Sequence, residues 1–305
     1  MPSEFPEVWL DQVIEDLNNT DQAPFFDGIP ELDADVSEFG AGTATESNKI
    51  HVSTTDFDVD ILINNNTYPI PVQVYDDGTL DFKLDKYQTK VITLSDDQTM
   101  GAAYDKIQVV TGKGVKKINS TKFAKGIHSI APQSHTINTP VLAATGGPDN
   151  LQDATGRKRL TYEDLVNFKQ ALADAGMPTD DVRLVLCNNH WNDLLMDRKN
   201  FGNQLVDYVK GKPAPVILGF ELFQYANMPR YTAAKVKKPY NSIPDSTDKT
   251  ASVAFWKGGI AKKTGLTKQY FVKSESNPHG QTNDLAYRHY YLITPFRPKY
   301  IGAII

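Results

Sequence analysis

Cys187 and His190 are the residues of this sequence that come nearest to a nucleophile and its base. They stand three apart after the apolar run Val182-Arg183-Leu184-Val185-Leu186, and an imidazole beside a thiol can hold a reactive thiolate. The same spacing suits a buried cysteine at a strand end and a histidine in the first turn of a helix, since a lone cysteine is among the most buried residue types. Asp56, Asp58 and Asp60 open like a calcium loop. However, Ile61 holds the sixth position, where that loop needs glycine, and Thr67 the twelfth, where it needs glutamate. Their alternation with Phe57, Val59 and Ile61 makes them one polar face of a strand. The six histidines form no His-x-x-x-His pair. Thr111-Gly112-Lys113-Gly114 misses the spacing of a phosphate loop, no Gly-x-Gly-x-x-Gly follows a strand, and no Gly-x-Ser-x-Gly elbow is present. Asp76, Asp77, Asp96 and Asp97 fit turns or helix caps. The expectation is no catalytic centre, no cofactor and no metal site. One concentration of like charge remains, Lys113, Lys116, Lys117, Lys122 and Lys125, which reads as a solvated helix end or as a patch that meets phosphate.

Composition narrows the classes further. The chain has 305 residues, 40% hydrophobic and 23% charged, with Lys+Arg 32 against Asp+Glu 37 for a net charge of −5. A protein that grips nucleic acid over its whole surface is usually basic. One cysteine permits no intrachain disulfide and makes a cysteine-based zinc site implausible. There is no run of about 18 apolar residues. The start, Met1-Pro2-Ser3-Glu4-Phe5-Pro6-Glu7, lacks the basic and then apolar regions of a signal peptide, so a soluble chain in a reducing compartment is expected and its Asn-x-Ser/Thr triplets carry no meaning.

The elements that must position any site follow from periodicity. Residues 1–48 read as an arm. A short amphipathic stretch (Val8, Trp9, Val13, Ile14, Leu17) precedes a Gly/Pro-rich acidic segment, and Phe5, Trp9, Phe25, Phe26 and Phe39 suggest ordering against a neighbouring subunit. Residues 49–94 alternate like strands (Ile50, Val52, Val59, Ile61, Ile63, Ile70, Val72, Val74, then Leu80, Phe82, Leu84). Asn64-Asn65-Asn66 and Asp76-Asp77-Gly78 are the expected turns. The apolar content is thin for a self-sufficient core, so this hairpin is expected to lie on its own domain or on another subunit. Residues 97–121 predict one long helix, with acids at its start and lysines toward its end, kinked at Gly112 and Gly114. A Gly/Asn-rich connection (134–159) leads to a helix capped by Thr161 and ended by Gly176 and Pro178. A buried strand at 182–186, a helix through Trp191, Leu194 and Leu195, a strand at 216–223 and a β-rich remainder complete the chain.

In order, these segments resemble the major capsid proteins of tailed double-stranded DNA bacteriophages, the Hong Kong 97 type. The resemblance rests on Thr161-Tyr162-Glu163-Asp164-Leu165 through Ala175-Gly176-Met177-Pro178, on Arg183-Leu184-Val185-Leu186-Cys187-Asn188-Asn189-His190-Trp191, and on Leu218-Gly219-Phe220-Glu221-Leu222. Thr294-Pro295-Phe296-Arg297-Pro298-Lys299-Tyr300-Ile301 and Gly147-Pro148-Asp149-Asn150-Leu151 extend it over nearly the whole chain. It implies an α+β fold with an N-terminal arm (1–48), an extended β-hairpin loop (49–94), a peripheral domain built on a long spine helix (95–160 and 251–305) and an axial domain (161–250). It implies self-assembly into pentamers and hexamers of an icosahedral head, in the virion after assembly in the host cytoplasm. Portal and scaffolding proteins and non-specifically held double-stranded DNA are the implied partners, with no membrane.

On this reading Trp9, Phe25, Phe26, Asp76, Asp77, Gly78, Lys83 and Lys86 are candidate intersubunit contacts. Lys113, Lys116, Lys117, Lys122 and Lys125 form the candidate lumen- or DNA-facing patch. Some relatives join a hairpin lysine to an asparagine of a neighbour. Lys83, Lys86 and Lys90 stand in that region, but no matching asparagine context is visible and no crosslink is expected. The rival readings are an encapsulin-type compartment shell, a minor head or decoration protein, and a Cys187/His190 hydrolase or transferase.

Overall fold

The computed structural model describes residues 23–33, 49–55, 60–73, 77–95, 106–197, 206–207, 212–213, 216–277 and 279–305. Its first strands are β1 (Lys49–Thr55), β2 (Asp77–Lys83), β3 (Asp85–Gln88) and β4 (Ile92–Ser95), followed by helix α1 (Lys106–Ile130) and strand β5 (Val141–Leu142). Then come α2 (Tyr162–Asp174), β6 (Val182–Leu186), α3 (Asn188–Met196), and the short strands β7 (Val206–Asp207), β8 (Lys212–Pro213) and β9 (Val216–Ile217). β10 (Phe220–Gln224), β11 (Arg230–Tyr231), β12 (Lys249–Thr250), β13 (Ser252–Trp256), β14 (Ile260–Val272), β15 (Thr282–Pro295) and β16 (Ile301–Ile304) complete the described strands.

Two sheets organise the chain. The first has six strands in the order β5-β16-β13-β6-β10-β9. All five residues of β6 and all four of β16 are buried, as strands inside a sheet covered on both faces should be, with Arg183 the one charged residue among them. Side chains alternate across a pleated strand. Val185, Val253, Phe255 and Ala303 therefore share one face with Phe123, Ile127 and Ile130 of α1. Leu184, Leu186, Ala254 and Ile304 share the other face with Leu165, Phe168 and Leu172 of α2 and Leu194 of α3. The second sheet is the long antiparallel pair β14/β15, with β3 and β4 both pairing to β15.

Helix α1 spans both sheets. Its earlier half sets Val115 and Ile118 on Leu285 and Tyr287 of β15, and Thr111 Oγ1 lies 2.9 Å from the Tyr287 hydroxyl. Its later half covers the six-stranded sheet. The helix ends at Ile130, not near Thr121 as the sequence suggested. The apolar spacing continues through Phe123, Ile127 and Ile130, and Gly126 lets the helix approach its floor, since a Cβ there would stand 2.5 Å from Ile293 Cγ2. The start expected near Asp97 lies outside the described residues, and α1 runs through Gly112 and Gly114 as one element. α2 begins on a capping box in which Thr161 and Asp164 each bind the other's backbone. It ends with Met177 N–H on Leu172 O and Gly176 N–H on Ala173 O, with Gly176 at φ +79°, the paired bonds that close a helix through a left-handed glycine.

Other sequence expectations need correction. Residues 216–223 are not one strand. Leu218 (φ 54°) and Gly219 (φ 83°) are consecutive left-handed residues, and they fold the segment into a two-residue hairpin between β9 and β10. Asp77 and Gly78 are not a tight turn but the opening of β2, paired with Thr55 and Thr54. No strand forms over 60–73, where alternation predicted two. Finally, β13 and β16 sit in the same sheet as β6 and β10, so a division at residue 250 cuts through one sheet. Pairing across the sheet, not position along the chain, decides which strands share a core.

Candidate intersubunit surface

Among the described residues the hairpin of β1 and β2 is anchored at its base. Ile50 and Leu84 are buried there with Tyr290 and Leu292 of β15, and Phe82 meets Phe296 edge-on at 5.9 Å. Beyond the paired strands the chain turns at the asparagine run. Asn64 takes φ 54°, and Asn65 Oδ1 accepts from the Thr67 N–H at 2.9 Å while its amide donates to Thr67 O. The flanking side chains are apolar and uncovered. Ile61 is 80% exposed, Ile63 83% and Val72 91%, with Tyr68 and Ile70 more than half exposed. The sequence placed Ile61, Ile63, Ile70 and Val72 on a strand face. The structure buries none of them, and no described element lies beneath them. Lys83 and Lys86 are exposed near the base of this projection.

Phe25 and Phe26 take the opposite course and correct the expectation that they contact a neighbour. Both are fully buried in their own chain. Pro24–Phe26 forms a single 3-10 turn. The Phe25 ring packs 4.5 Å from Phe26 and 5.1 Å from Tyr225, and Phe26 faces Phe123 and Phe255. Buried Arg183 fastens the turn, its Nη1 donating to Phe25 O at 2.9 Å and Asp27 O at 2.6 Å while its Nε bonds Glu221. The pair Phe25 and Phe26 is thus explained by an intrachain socket. Trp9 and Asp76 lie outside the described residues.

The lysine cluster divides. Lys113, Lys116 and Lys117 are exposed on α1. Lys125 is half-buried in an ion pair with Asp85 at 2.6 Å. Lys122 is buried, its ammonium 4.8 Å from the Phe123 ring centroid and 5.0 Å from that of Tyr291, so it is removed from any surface patch. Lys122 turns inward because it lies on the helix face that packs on β15; with burial as the larger cause, it holds His289 down to about 3.

The Cys187/His190 pair is built as structure. Both are buried. The Ser252 hydroxyl accepts from the Cys187 N–H at 3.0 Å and lies 2.7 Å from His190 Nδ1, while Cys187 Sγ points to Thr250 O. Burial pushes the thiol up and pulls His190 down to about 4, so both groups are neutral near pH 7. A thiolate–imidazolium couple needs the reverse shifts. Nearby, Arg157 makes a two-pronged bond to Asp193 at 2.8 and 2.9 Å, and Asp193 also accepts from Leu160 N. This ties the Gly/Asn-rich connection to α3. Among the described residues no group of three metal-ligating side chains gathers, and no helix is long and apolar enough to cross a membrane.

No family model matches the sequence, and no curated protein matches it. Solved structures do. The capsid of the cyanophage P-SCSP1u superposes with a TM-score of 0.60 at 11% identity, covering 86% of this chain and 84% of that one. The capsid of the native GTA particle gives 0.58 at 11% identity over 93% and 98%. A virus-like particle from Pyrococcus furiosus gives 0.53 at 9% identity over 98% of each chain. The chain has the Hong Kong 97-like capsid fold, an α+β architecture shared with the shells of tailed bacteriophages.

Proposed function

We propose that this chain is a major capsid protein, assembling into the pentamers and hexamers of an icosahedral bacteriophage head around double-stranded DNA. The observation that carries the reading is the uncovered apolar projection over residues 60–73 on a chain whose sheets and helices are otherwise well packed. A monomer gains nothing by exposing Ile61, Ile63 and Val72 together; such a surface is the mark of a partner. A neighbour that receives it makes a heterologous contact, and such contacts close into rings when the rotation allows. The likeness to capsid shells over most of the chain supports the same reading. The role is mechanical, with portal and scaffolding proteins as partners in assembly and DNA touched through local lysines such as Lys113, Lys116 and Lys117. A net charge of −5 is compatible with this, since a container need not grip DNA along a groove.

The triple variant Ile61→Asp/Ile63→Asp/Val72→Asp tests it. Far-UV circular dichroism and urea unfolding of the free subunit should match the parent, while particles disappear from negative-stain fields and from the void volume of a sizing column. Particles that form as before would overturn the proposed role of this surface.

A further inference from the structure

The end of α1 is strapped down by residues 231–240. The Lys237 ammonium donates to two carbonyls there, His128 O at 2.9 Å and Ala131 O at 2.6 Å. Carbonyls at a helix end lack intrahelical partners, and this side chain supplies one. The Lys237 N–H donates to Gln133 O at 2.8 Å, and the Tyr231 hydroxyl donates to Pro132 O. His128 fastens the strap from the helix side. Its Nε2 lies 2.8 Å from Lys238 O, and its ring meets that of Tyr240 edge-on at 5.6 Å. A carbonyl only accepts, so Nε2 carries the proton of the neutral ring and Nδ1 is where a second proton adds. On this side the strap borders a cleft of about 460 Å³, lined by Ser120, Thr121, Ala124 and His128 of α1 and by Tyr240 and Ser242.

The surroundings of His128 are cationic. Lys125 stands one turn earlier on α1, Lys237 is bonded to the carbonyl of His128 itself, and Lys238 follows it. Lys125 is matched by Asp85 of β3 and Lys238 by Asp248, each at 2.6 Å. Lys237 is held by the helix carbonyls instead. Burial first, and then Lys237 and Lys125, hold His128 below its ordinary 6.5, against the pull of the Lys238 carbonyl. Lys237, lowered to about 8 by burial, stays charged at neutral and acid pH. We infer that residues 231–240 are an acid-released strap: a proton taken up by His128 sets a second cation beside Lys237, and the strap lets go of the end of α1. Because the strapped state favours the neutral ring, its hold is complete above pH 6.5 and weakens as pH falls below that value. Helix α1 spans both sheets, so this contact helps to seat its later half on the six-stranded sheet.

The test is hydrogen exchange of the full-length chain, read by mass spectrometry at pH 7.5 and pH 5 with rates corrected for the intrinsic effect of pH. The N–H groups of Lys237 and Lys238, bonded to Gln133 O and Arg230 O, report on the strap, and those of β6 report on the sheet. Protection of the strap should fall about fivefold at pH 5 while that of β6 holds. His190 and His289, held down to about 4 and about 3, stay neutral at both pH values. His128→Gln keeps an N–H donor for Lys238 O but takes up no proton, and it should abolish the fall. Lys237→Gln removes the facing charge and should shrink the fall, whatever it does to protection at pH 7.5. Equal protection at both pH values in the parent, a fall that persists in His128→Gln, or an equal fall in β6 would overturn the inference. Should His128→Gln lose protection at pH 7.5 as well, Lys237→Gln decides: a smaller fall supports the strap, and a fall of the parent's full size overturns it. Particle formation, read separately by light scattering, reports on the capsid reading and leaves this result independent of it.

Discussion

Phe26→Ala separates two roles for the arm. As an intrachain anchor, Phe26 stabilises the isolated subunit; as an intersubunit contact, it would stabilise only the assembly. The side chain is fully buried, between Phe25, Phe123 and Phe255, and one ring edge lies over Gly126. Truncation to alanine withdraws roughly 100 Å² of apolar surface from burial, about 2.5 kcal/mol at 25 cal/mol per Å². The cavity left among stiff aromatic neighbours adds a similar amount, which places the loss at about 3–5 kcal/mol. Urea unfolding of dissociated subunits, followed by tryptophan fluorescence, should show a lower midpoint at an unchanged slope. A loss under about 1 kcal/mol in the free subunit, together with defective particles, would refute the intrachain socket and return Phe26 to the interface.

Other expectations follow from the buried groups. His190 is held down to about 4 by burial, against an ordinary value of 6.5. Between those values the unfolded chain binds more protons than the folded one, so this contribution is complete above pH 6.5 and is lost as pH falls toward 4, to the extent of about 3 kcal/mol. His190→Asn should flatten the stability-versus-pH curve in that window, and a slope equal to the parent's would contradict the assignment. Iodoacetamide at pH 7.5 should modify Cys187 at least about 100-fold more slowly in the native chain than in urea, given a buried thiol whose pKa is raised; a fast native reaction would revive the hydrolase reading. Gly126→Ala should cost about 1–3 kcal/mol, measured by thermal unfolding, because its Cβ would meet Ile293 at 2.5 Å and the Phe26 ring at 3.2 Å. A neutral result would mean that α1 can lift from its floor without loss.

Local chemistry was the most legible part of the sequence. The Thr161 cap, the Gly176 terminator and the run 182–186 each state their element within a few residues, and the structure has all three. The β-rich remainder was legible only in part: the short runs 269–272 and 288–292 proved to be pieces of the longer strands β14 and β15. What failed depended on partners. The period of two at Ile61, Ile63, Ile70 and Val72 is the pattern of a strand face, but a strand also needs a second strand and a floor, and the described residues supply neither. Lys122 looked like its neighbours on α1 because sequence gives composition along the helix and not which face meets β15. Phe25 and Phe26 were assigned to a neighbour because the arm alone cannot form a core; the six-stranded sheet, assembled from residues far along the chain, provides one. The signal that could have found the exposed surface was present, a hairpin with too little apolar content to fold alone.

The central claim is that this chain builds a closed shell. The most direct test is to express the full chain, measure particle mass by light scattering, image the particles by negative stain, and compare absorbance at 260 and 280 nm. Rings or closed particles with fivefold and sixfold units are expected, and nucleic acid within them when DNA is packaged; protein cargo instead would mark a compartment shell. A folded chain that stays a monomer at every concentration and salt tested, with scaffolding protein supplied, would contradict it.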